Sequence, residues 1–173
     1  ELRAAGYEAI GVRTDVTNKE SVLNLVKQAL DTYGTIDVLV NNAGVCVLGD
    51  LLSTSDEDRD YHIDINIKGV WNVTRAIAPI MMAKREGKIV VMSSVTGDMV
   101  ADPGEAAYAM SKAALVGFTK AVAREMADYN ITVNAICPGY VRTPMVEGMA
   151  KQSCPENPES VIDGIAAGVP LKR

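Results

Sequence analysis

The sequence predicts an α/β fold built as a doubly wound parallel sheet. Short apolar strands alternate with longer amphipathic helices along the 173 residues, and each connection is long enough for a right-handed crossover. The apolar fraction is 48% and the charged fraction 23%, which is typical of a globular core. We therefore expect one domain whose mostly parallel sheet is covered by helices on both faces.

The first half of the chain predicts two strands and two helices. Ile10 and Val12 mark the first strand, and Asn18 is a good N-cap for the helix that follows. A near-continuous apolar run then indicates a buried parallel strand, and Ser55 starts a long helix that Pro79 should kink or shorten. The predicted elements are strand 7–16, helix 18–33 ended by Gly34, strand 36–40 and helix 56–84.

The second half continues the alternation and ends in a tail rich in proline and glycine. Apolar residues at helical spacing, among them Leu115, Phe118 and Val122, predict a helix between two further strands. The sequence Pro138-Gly139 breaks the second of these strands. The predicted elements are strand 88–93, helix 105–128 and strand 131–137, followed by a tail over 143–170 that contains some helix.

Composition excludes several functional classes. The net charge is −5 with both signs interspersed, so we expect no nucleic-acid partner. The apolar runs are too short for a membrane span and no signal peptide is visible. The three cysteines lack metal-ligand spacing and are odd in number, which indicates reduced thiols in a cytoplasmic protein without a metal site.

The ends of the sequence favour a fragment. The chain begins at Glu1 rather than methionine, and its first residues are typical of the last turn of a helix with Gly6 as its stop. No closing motif precedes Arg173. We expect a chain cut at both ends.

Small and polar residues follow the predicted strands, where open α/β sheets bind ligands. The loop Asn41-Asn42-Ala43-Gly44 lets a flat ligand approach the backbone, although Asn and Gly are also the commonest residues of ordinary turns. Ser94 ends the next strand, where its hydroxyl could donate to a substrate oxygen or simply cap a turn. It lies outside a G-x-S-x-G elbow, so a hydrolase nucleophile is disfavoured.

Tyr108 and Lys112 are four residues apart and share one face of a predicted helix. An ammonium beside a phenol favours the phenolate and should lower the pKa of the tyrosine. A tyrosine tuned in this way can exchange a proton with an alcohol or carbonyl near neutral pH. The bland alternative is a solvated lysine beside a packed tyrosine.

Two further polar residues lie inside the long predicted helix. Asn66 has poor helix propensity, so it must be exposed, bonded to backbone or functional. His62 is the only histidine and has no nucleophile or second ligand at useful spacing. We interpret His62 as structural.

Taken together, these motifs resemble the short-chain dehydrogenase/reductase family, in its single-domain branch. The similar segments occur in the family's order and span essentially the whole chain. They are Asp15-Val16, Asn41-Asn42-Ala43-Gly44, Asn66, Ser94, the Y-x-x-x-K pair 108–112, and Pro138-Gly139-Tyr140-Val141-Arg142-Thr143. The resemblance implies a Rossmann-type sheet that binds NAD or NADP, and an alcohol or ketone substrate.

The resemblance also implies roles for individual residues. Tyr108 would be the acid/base and would also contact the cofactor, and Lys112 would assist it and hold the nicotinamide ribose. Ser94 would polarise the substrate oxygen, and Asn66 would hold a relay water. Asp15 and Val16 would line the adenine pocket, and 143–170 would form an apolar substrate lid. The further cofactor contacts would be Asn42, Ala43, Gly44, Pro138, Gly139, Val141 and Thr143.

The chain departs from the family in three places. The Gly-rich T-G-x-x-x-G-x-G fingerprint is absent, together with the first two strands of the family's sheet and its last strand. Without the second strand, the sequence does not reveal a preference for NAD or NADP. We expect strand 36–40 to become an exposed apolar edge, and the isolated chain to be unstable, aggregation-prone and inactive.

Related activities remain as alternatives to hydride transfer. The same Tyr and Lys serve epimerases and dehydratases, which have longer chains, and a non-catalytic dinucleotide-binding module is a third possibility. The long helices that carry Asn66 and Tyr108 resemble those of the family's subunit interfaces. We therefore expect the intact protein to be a homotetramer.

Overall fold

The computed structural model describes residues 1–170 and contains a three-stranded parallel sheet with six α-helices. The α/β class and the incomplete parallel sheet predicted from the sequence are confirmed. The strands are β1 (Val38–Asn41), β2 (Gly87–Met92) and β3 (Ile131–Ile136). The α-helices are α1 (Lys19–Tyr33), α2 (Asp56–His62), α3 (Val70–Lys84), α4 (Ala106–Met126), α5 (Pro144–Ser153) and α6 (Pro158–Gly168).

Side-chain caps start the helices where the sequence predicts them. The Asn18 side chain accepts a hydrogen bond from the Ser21 amide at 3.0 Å and begins α1. Gly34 ends that helix at φ 77°, a left-handed conformation that glycine adopts without steric cost. Ser55 caps α2 in the same way, with the Asp58 amide at 3.0 Å.

The sheet has the order β1-β2-β3, and α1, α3 and α4 form the layer that covers one of its faces. Leu39, Ile89, Val91, Ile131 and Val133 point into the same core as the apolar side chains of α1, α3 and α4. Burial of each such side chain is worth about 1.5–3 kcal/mol, which holds the helices on this face. Because α4 packs closely on β3, its first turn is fixed relative to the strand ends.

The opposite face of the sheet is open, contrary to the expectation of helices on both faces. Val38 and Val40 are each 54% exposed and Ile136 is 48% exposed. Only one side of each strand therefore enters the core, which produces an alternating burial pattern in place of fully buried strands. Strand β1 forms one edge of the sheet, as expected.

The strand predicted over 7–16 is wrong. These residues form no strand and lie outside the sheet, because no described strand offers them a hydrogen-bonding ladder. The end of the segment is nevertheless fixed: the Asn72 side chain donates to the Val16 carbonyl at 3.0 Å. A Cβ on Gly69 would lie 2.6 Å from the Val16 side chain, so the two backbones approach closely.

The long helix predicted over 56–84 is interrupted, but at an unexpected place. Residues Ile63–Gly69 form a π-helical segment between α2 and α3. The expected shortening at Pro79 is wrong, because α3 continues past this exposed proline to Lys84. Among residues 1–170, no helix has both the length and the hydropathy that a bilayer span requires.

Candidate active site

A cavity of about 570 Å³ opens at the carboxyl ends of the three strands. Parallel strands bring the loops that follow them to one edge of the sheet, and the first turn of α4 and the start of α5 complete the walls. The cavity brings together ten of the residues predicted to form the site. They are Asn42, Ala43, Gly44, Ser94, Tyr108, Lys112, Pro138, Gly139, Val141 and Thr143.

Tyr108 and Lys112 lie on the same side of α4, as their spacing predicts. The Lys112 ammonium nitrogen is 5.6 Å from the centroid of the Tyr108 ring. It donates a hydrogen bond to the Met92 carbonyl at 2.9 Å, at the end of β2. The Ser93 hydroxyl donates to the Lys112 carbonyl at 2.8 Å. These two bonds fix the lysine between helix and sheet.

Ser94 faces the tyrosine across the cavity. Its hydroxyl accepts a hydrogen bond from the Thr96 amide at 3.1 Å and also interacts with the Tyr108 side chain. Ser94 is buried, so this geometry is held away from bulk water. A substrate oxygen placed between the two hydroxyls would meet both of them.

The predicted lowering of the Tyr108 pKa is not seen in this structure. Burial raises the pKa of Tyr108, and the nearby Ser94 hydroxyl opposes that rise only in part. The lysine ammonium is directed to the Met92 carbonyl, and burial lowers the pKa of Lys112 as well. Tyr108 therefore carries its proton at neutral pH, and burial makes it a weaker acid than a free tyrosine.

Asn66 lies in the π-helical segment and is completely buried. Its side-chain oxygen accepts from the Val45 amide at 2.8 Å, and its side-chain nitrogen donates to the Val45 carbonyl at 3.0 Å and to the Ser111 hydroxyl at 2.9 Å. The Ser111 hydroxyl in turn donates to the Tyr108 carbonyl at 2.7 Å. Asn66 thus joins the loop after β1 to the helix of Tyr108. These hydrogen bonds satisfy its polar side chain, so the residue can be buried within a helical segment.

His62 lies four residues before Asn66 and holds the same loop. Its Nδ1 is 2.7 Å from the Asp58 carbonyl, and its Nε2 accepts from the Val47 amide at 3.1 Å. Because a carbonyl only accepts and an amide N–H only donates, the ring is neutral with its proton on Nδ1. The ring also makes an edge contact with Tyr108, with centroids 6.3 Å apart. Both ring nitrogens serve the backbone, in line with the structural interpretation.

Replacing His62 with leucine should lower the free energy of unfolding by about 2–4 kcal/mol, because a buried amide and a carbonyl lose their partner. Glu57→Gln is the matched control: this residue is exposed on the same helix, and its substitution should stay within about 0.5 kcal/mol. Urea unfolding of both variants measures the difference. Equal midpoints for the two variants would show that the histidine bonds contribute nothing.

Three predicted site residues lie outside the cavity. Asn66 is behind its wall, bonded to Val45 as described. Asp15 caps a turn by accepting from the Thr17 amide at 2.9 Å and from its hydroxyl at 2.7 Å, and these bonds lower the pKa of Asp15. Val16 packs towards Gly69. The adenine-pocket role of Asp15 and Val16 stays a prediction.

Sequence reasoning missed three polar residues of this region. Ser111 is completely buried three positions after Tyr108, and the helical spacing alone could have revealed it. Cys46 lines the cavity, where burial raises the pKa of its thiol to about 12 and keeps it protonated. Glu105 is a buried carboxyl in the wall, and no motif in the sequence marks it.

The parallel α/β fold is shared with known proteins. Residues 1–153 match a family model described as short chain dehydrogenase, and the chain belongs to this family. It is 60% identical over all 173 residues to the oxidoreductase UcpA of Escherichia coli K12, and spans 66% of that protein's length. It is also 41% identical over 159 residues to the 3-oxoacyl-[acyl-carrier-protein] reductase FabG of Thermotoga maritima, covering 92% of this chain and 61% of that protein.

Solved structures agree with this assignment. Levodione reductase superposes with a TM-score of 0.95 at 32% identity, covering 99% of this chain and 67% of that one. NAD+-bound xylitol dehydrogenase superposes with a TM-score of 0.89 at 32% identity, covering 99% of this chain and 69% of that one. The chain therefore spans about two thirds of the length of the relatives it matches.

Proposed function

We propose that the full-length protein containing this chain is an NAD- or NADP-dependent oxidoreductase that transfers a hydride between the nicotinamide and an alcohol or ketone. The observation that carries the proposal is the meeting of Tyr108, Ser94 and Lys112 at one cavity. The neighbouring proteins named levodione reductase, xylitol dehydrogenase and 3-oxoacyl reductase support a substrate with a carbonyl or carbinol group. Because their substrates differ, we propose no narrower substrate class than alcohols and ketones.

The cavity fits the nicotinamide end of such a cofactor. Gly44 contributes no side chain, and a Cβ there would lie 3.4 Å from both the Asn66 side-chain oxygen and the Lys112 ammonium. The glycine thus leaves room beside the lysine for a flat group. Lys112 and Thr143 would hold its ribose and carboxamide, and Pro138, Gly139 and Val141 would line its ring. When bound, the nicotinamide supplies or accepts the hydride.

The chain's own residues would move the proton and orient the substrate. In the reducing direction, Tyr108 gives its proton to the carbonyl oxygen while Ser94 donates a hydrogen bond to the same oxygen. Lys112 supplies the positive charge that stabilises the resulting phenolate, at 5.6 Å from the ring centroid. Asn66 keeps the loop of Gly44 in place and would also hold a water that relays protons.

The start of α5 supports the proposed apolar lid. Met145, Val146 and Met149 line the cavity, and Thr143 caps the helix that carries them. Val161 and Ile165, also expected in the lid, lie on α6, which packs against α5. An apolar wall opposite Tyr108 would exclude water from the reacting centre.

A panel of secondary alcohols and ketones, assayed with each cofactor by nicotinamide absorbance, tests the proposal on the full-length protein. Turnover with one or more pairs is expected. Binding of the dinucleotide without any turnover would favour a non-catalytic module. Conversion without net oxidation or reduction would favour an epimerase or dehydratase.

We also propose that the full-length protein is a cytoplasmic homotetramer. Tyr61 on α2, Trp71 on α3 and Met110 on α4 are each about half exposed. Trp71 stacks obliquely on Phe118 with centroids 6.0 Å apart, which makes this helical face an apolar surface suited to a second copy. The free thiols Cys46, Cys137 and Cys154 fit a reducing compartment.

Light scattering of the full-length protein should give the mass of four chains. Trp71→Asp should shift that mass towards smaller species, because it places a charge in the centre of the apolar face. Glu86→Gln, an exposed change outside that face, is the control and should leave the mass unchanged. A monomeric mass for the unmodified protein would refute this part of the proposal.

A further inference from the structure

Glu105 is an acidic side chain buried in the wall of the cavity. The residue immediately precedes α4, is 7% exposed and lies three positions before Tyr108. Both residues line the same cavity. A carboxyl group in this place is costly to bury, so its partners determine whether it serves the fold or a ligand.

The partners of the Glu105 carboxyl are few. Thr96 favours its charged form, and no lysine or arginine of residues 1–170 pairs with it. Burial, and then the nearby carboxylate of Asp102, raise the pKa of Glu105. No side-chain oxygen of the described chain is both buried and unpaired. A Glu105 carboxyl oxygen without a protein partner is therefore not fully buried, and the residue lines the cavity.

The other titratable groups of the cavity are already engaged. The Tyr140 hydroxyl donates to Asp102 at 2.8 Å, and the Lys112 ammonium donates to the Met92 carbonyl. Cys46 keeps its proton and is at best a weak donor. What Glu105 offers the cavity is thus an acceptor without a strong protein donor, near enough to Tyr108 for its charge to act on that phenol.

We propose that Glu105 selects substrates by accepting a hydrogen bond from a donor on the carbon next to the reacting carbinol, as in a vicinal diol or a 1,2-amino alcohol. The inference rests on the proposed function and specifies its substrate class. A plain secondary alcohol would leave the carboxyl unpaired, and a 2-hydroxy acid would bring a second negative charge against it. Glu105 itself exchanges no proton or hydride in the reaction.

Four compounds of nearly equal size test this proposal with the full-length protein and its preferred cofactor. They are 1,2-propanediol, 1-amino-2-propanol, 2-butanol and lactate, which differ only in the group beside the carbinol. We expect kcat/KM for one or both of the donor-bearing compounds to exceed that for 2-butanol at least about tenfold, with lactate lowest. Comparison of 1,2-propanediol with 1-amino-2-propanol shows whether Glu105 prefers a hydroxyl or an ammonium as the donor.

Variants of Glu105 test whether its side chain causes the preference for donor-bearing compounds. Glu105→Leu should reduce the ratio of the better donor-bearing compound to 2-butanol to near one, and Glu105→Gln, which keeps an acceptor oxygen and the volume, should retain part of it. The remote change Glu86→Gln should leave the ratio as in the unmodified protein. Thermal melting establishes that the variants are folded.

Two failures can be told apart. Equal kcat/KM for the donor-bearing compounds and 2-butanol in the unmodified protein, or a preference that persists in Glu105→Leu, overturns the role of Glu105 and leaves the proposed oxidoreductase intact. Absence of turnover with every alcohol and ketone, with either cofactor, overturns the proposed function and this inference with it.

Discussion

Replacing Tyr108 with phenylalanine should lower kcat of the full-length protein by about 10²–10⁴-fold. The variant keeps the ring and its edge contact with His62 but loses the hydroxyl that interacts with Ser94. The other tyrosine that lines the cavity, Tyr140, donates its hydroxyl proton to Asp102, so we expect the proton to come from water. The measurement is steady-state turnover with the best substrate of the panel.

The dinucleotide Kd distinguishes a catalytic loss from a folding loss. Because Lys112 and Gly44 keep their positions, the Kd of Tyr108→Phe should stay within about threefold of the unmodified protein. Tyr33→Phe makes the same chemical change at the exposed end of α1, and its kcat should be unaffected. A Tyr108→Phe variant with full turnover would remove Tyr108 from the mechanism.

Replacing Gly97 with alanine should destabilise the fold by more than about 3 kcal/mol. Gly97 has φ 102°, and a Cβ there would lie 2.3 Å from the Ala109 carbonyl oxygen and 3.0 Å from its carbon. The obstacle is the backbone of α4, which cannot rotate away as a side chain can. Relief would require the loop of Ser94 to move away from the helix of Tyr108, so activity should fall as well.

Gly104→Ala separates the clash from backbone strain. Gly104 also has a positive φ, 81°, but nothing lies within 4 Å of a Cβ built there. Its substitution should therefore cost only about 1–2 kcal/mol, the usual strain of an alanine in this conformation. Urea unfolding of the two variants measures the difference. Equal losses would mean that the contact between the loop and α4 is loose.

The regular elements were predictable because local signals determine them. Asn18 and Gly34 bound α1, and Ser55 starts α2, through hydrogen bonds within a few residues of each cap. The strand over 7–16 failed because a strand depends on a neighbour, which a local pattern does not supply. The open face of the sheet has the same cause. Val38 and Val40 are apolar, which predicts that another element covers them, but both are exposed in the described structure.

The site was predictable where helical spacing and strand ends decide the geometry. Tyr108, Lys112 and Ser94 meet for those reasons. The π-helical segment around Asn66 was not predictable, since a wider turn arises from packing against the loop after β1 and against Ser111. The direction of the Tyr108 pKa shift also depends on burial, which spacing cannot reveal.

Isotope transfer tests the central claim most directly. The full-length protein is incubated with an alcohol deuterated at the carbinol carbon and with oxidised nicotinamide dinucleotide, and the reduced cofactor is examined by mass spectrometry and NMR. We predict one deuterium at the nicotinamide ring carbon, equal in amount to the ketone formed. Deuterium that is lost to water while the substrate is epimerised or dehydrated, or that stays entirely in the substrate, would contradict the account.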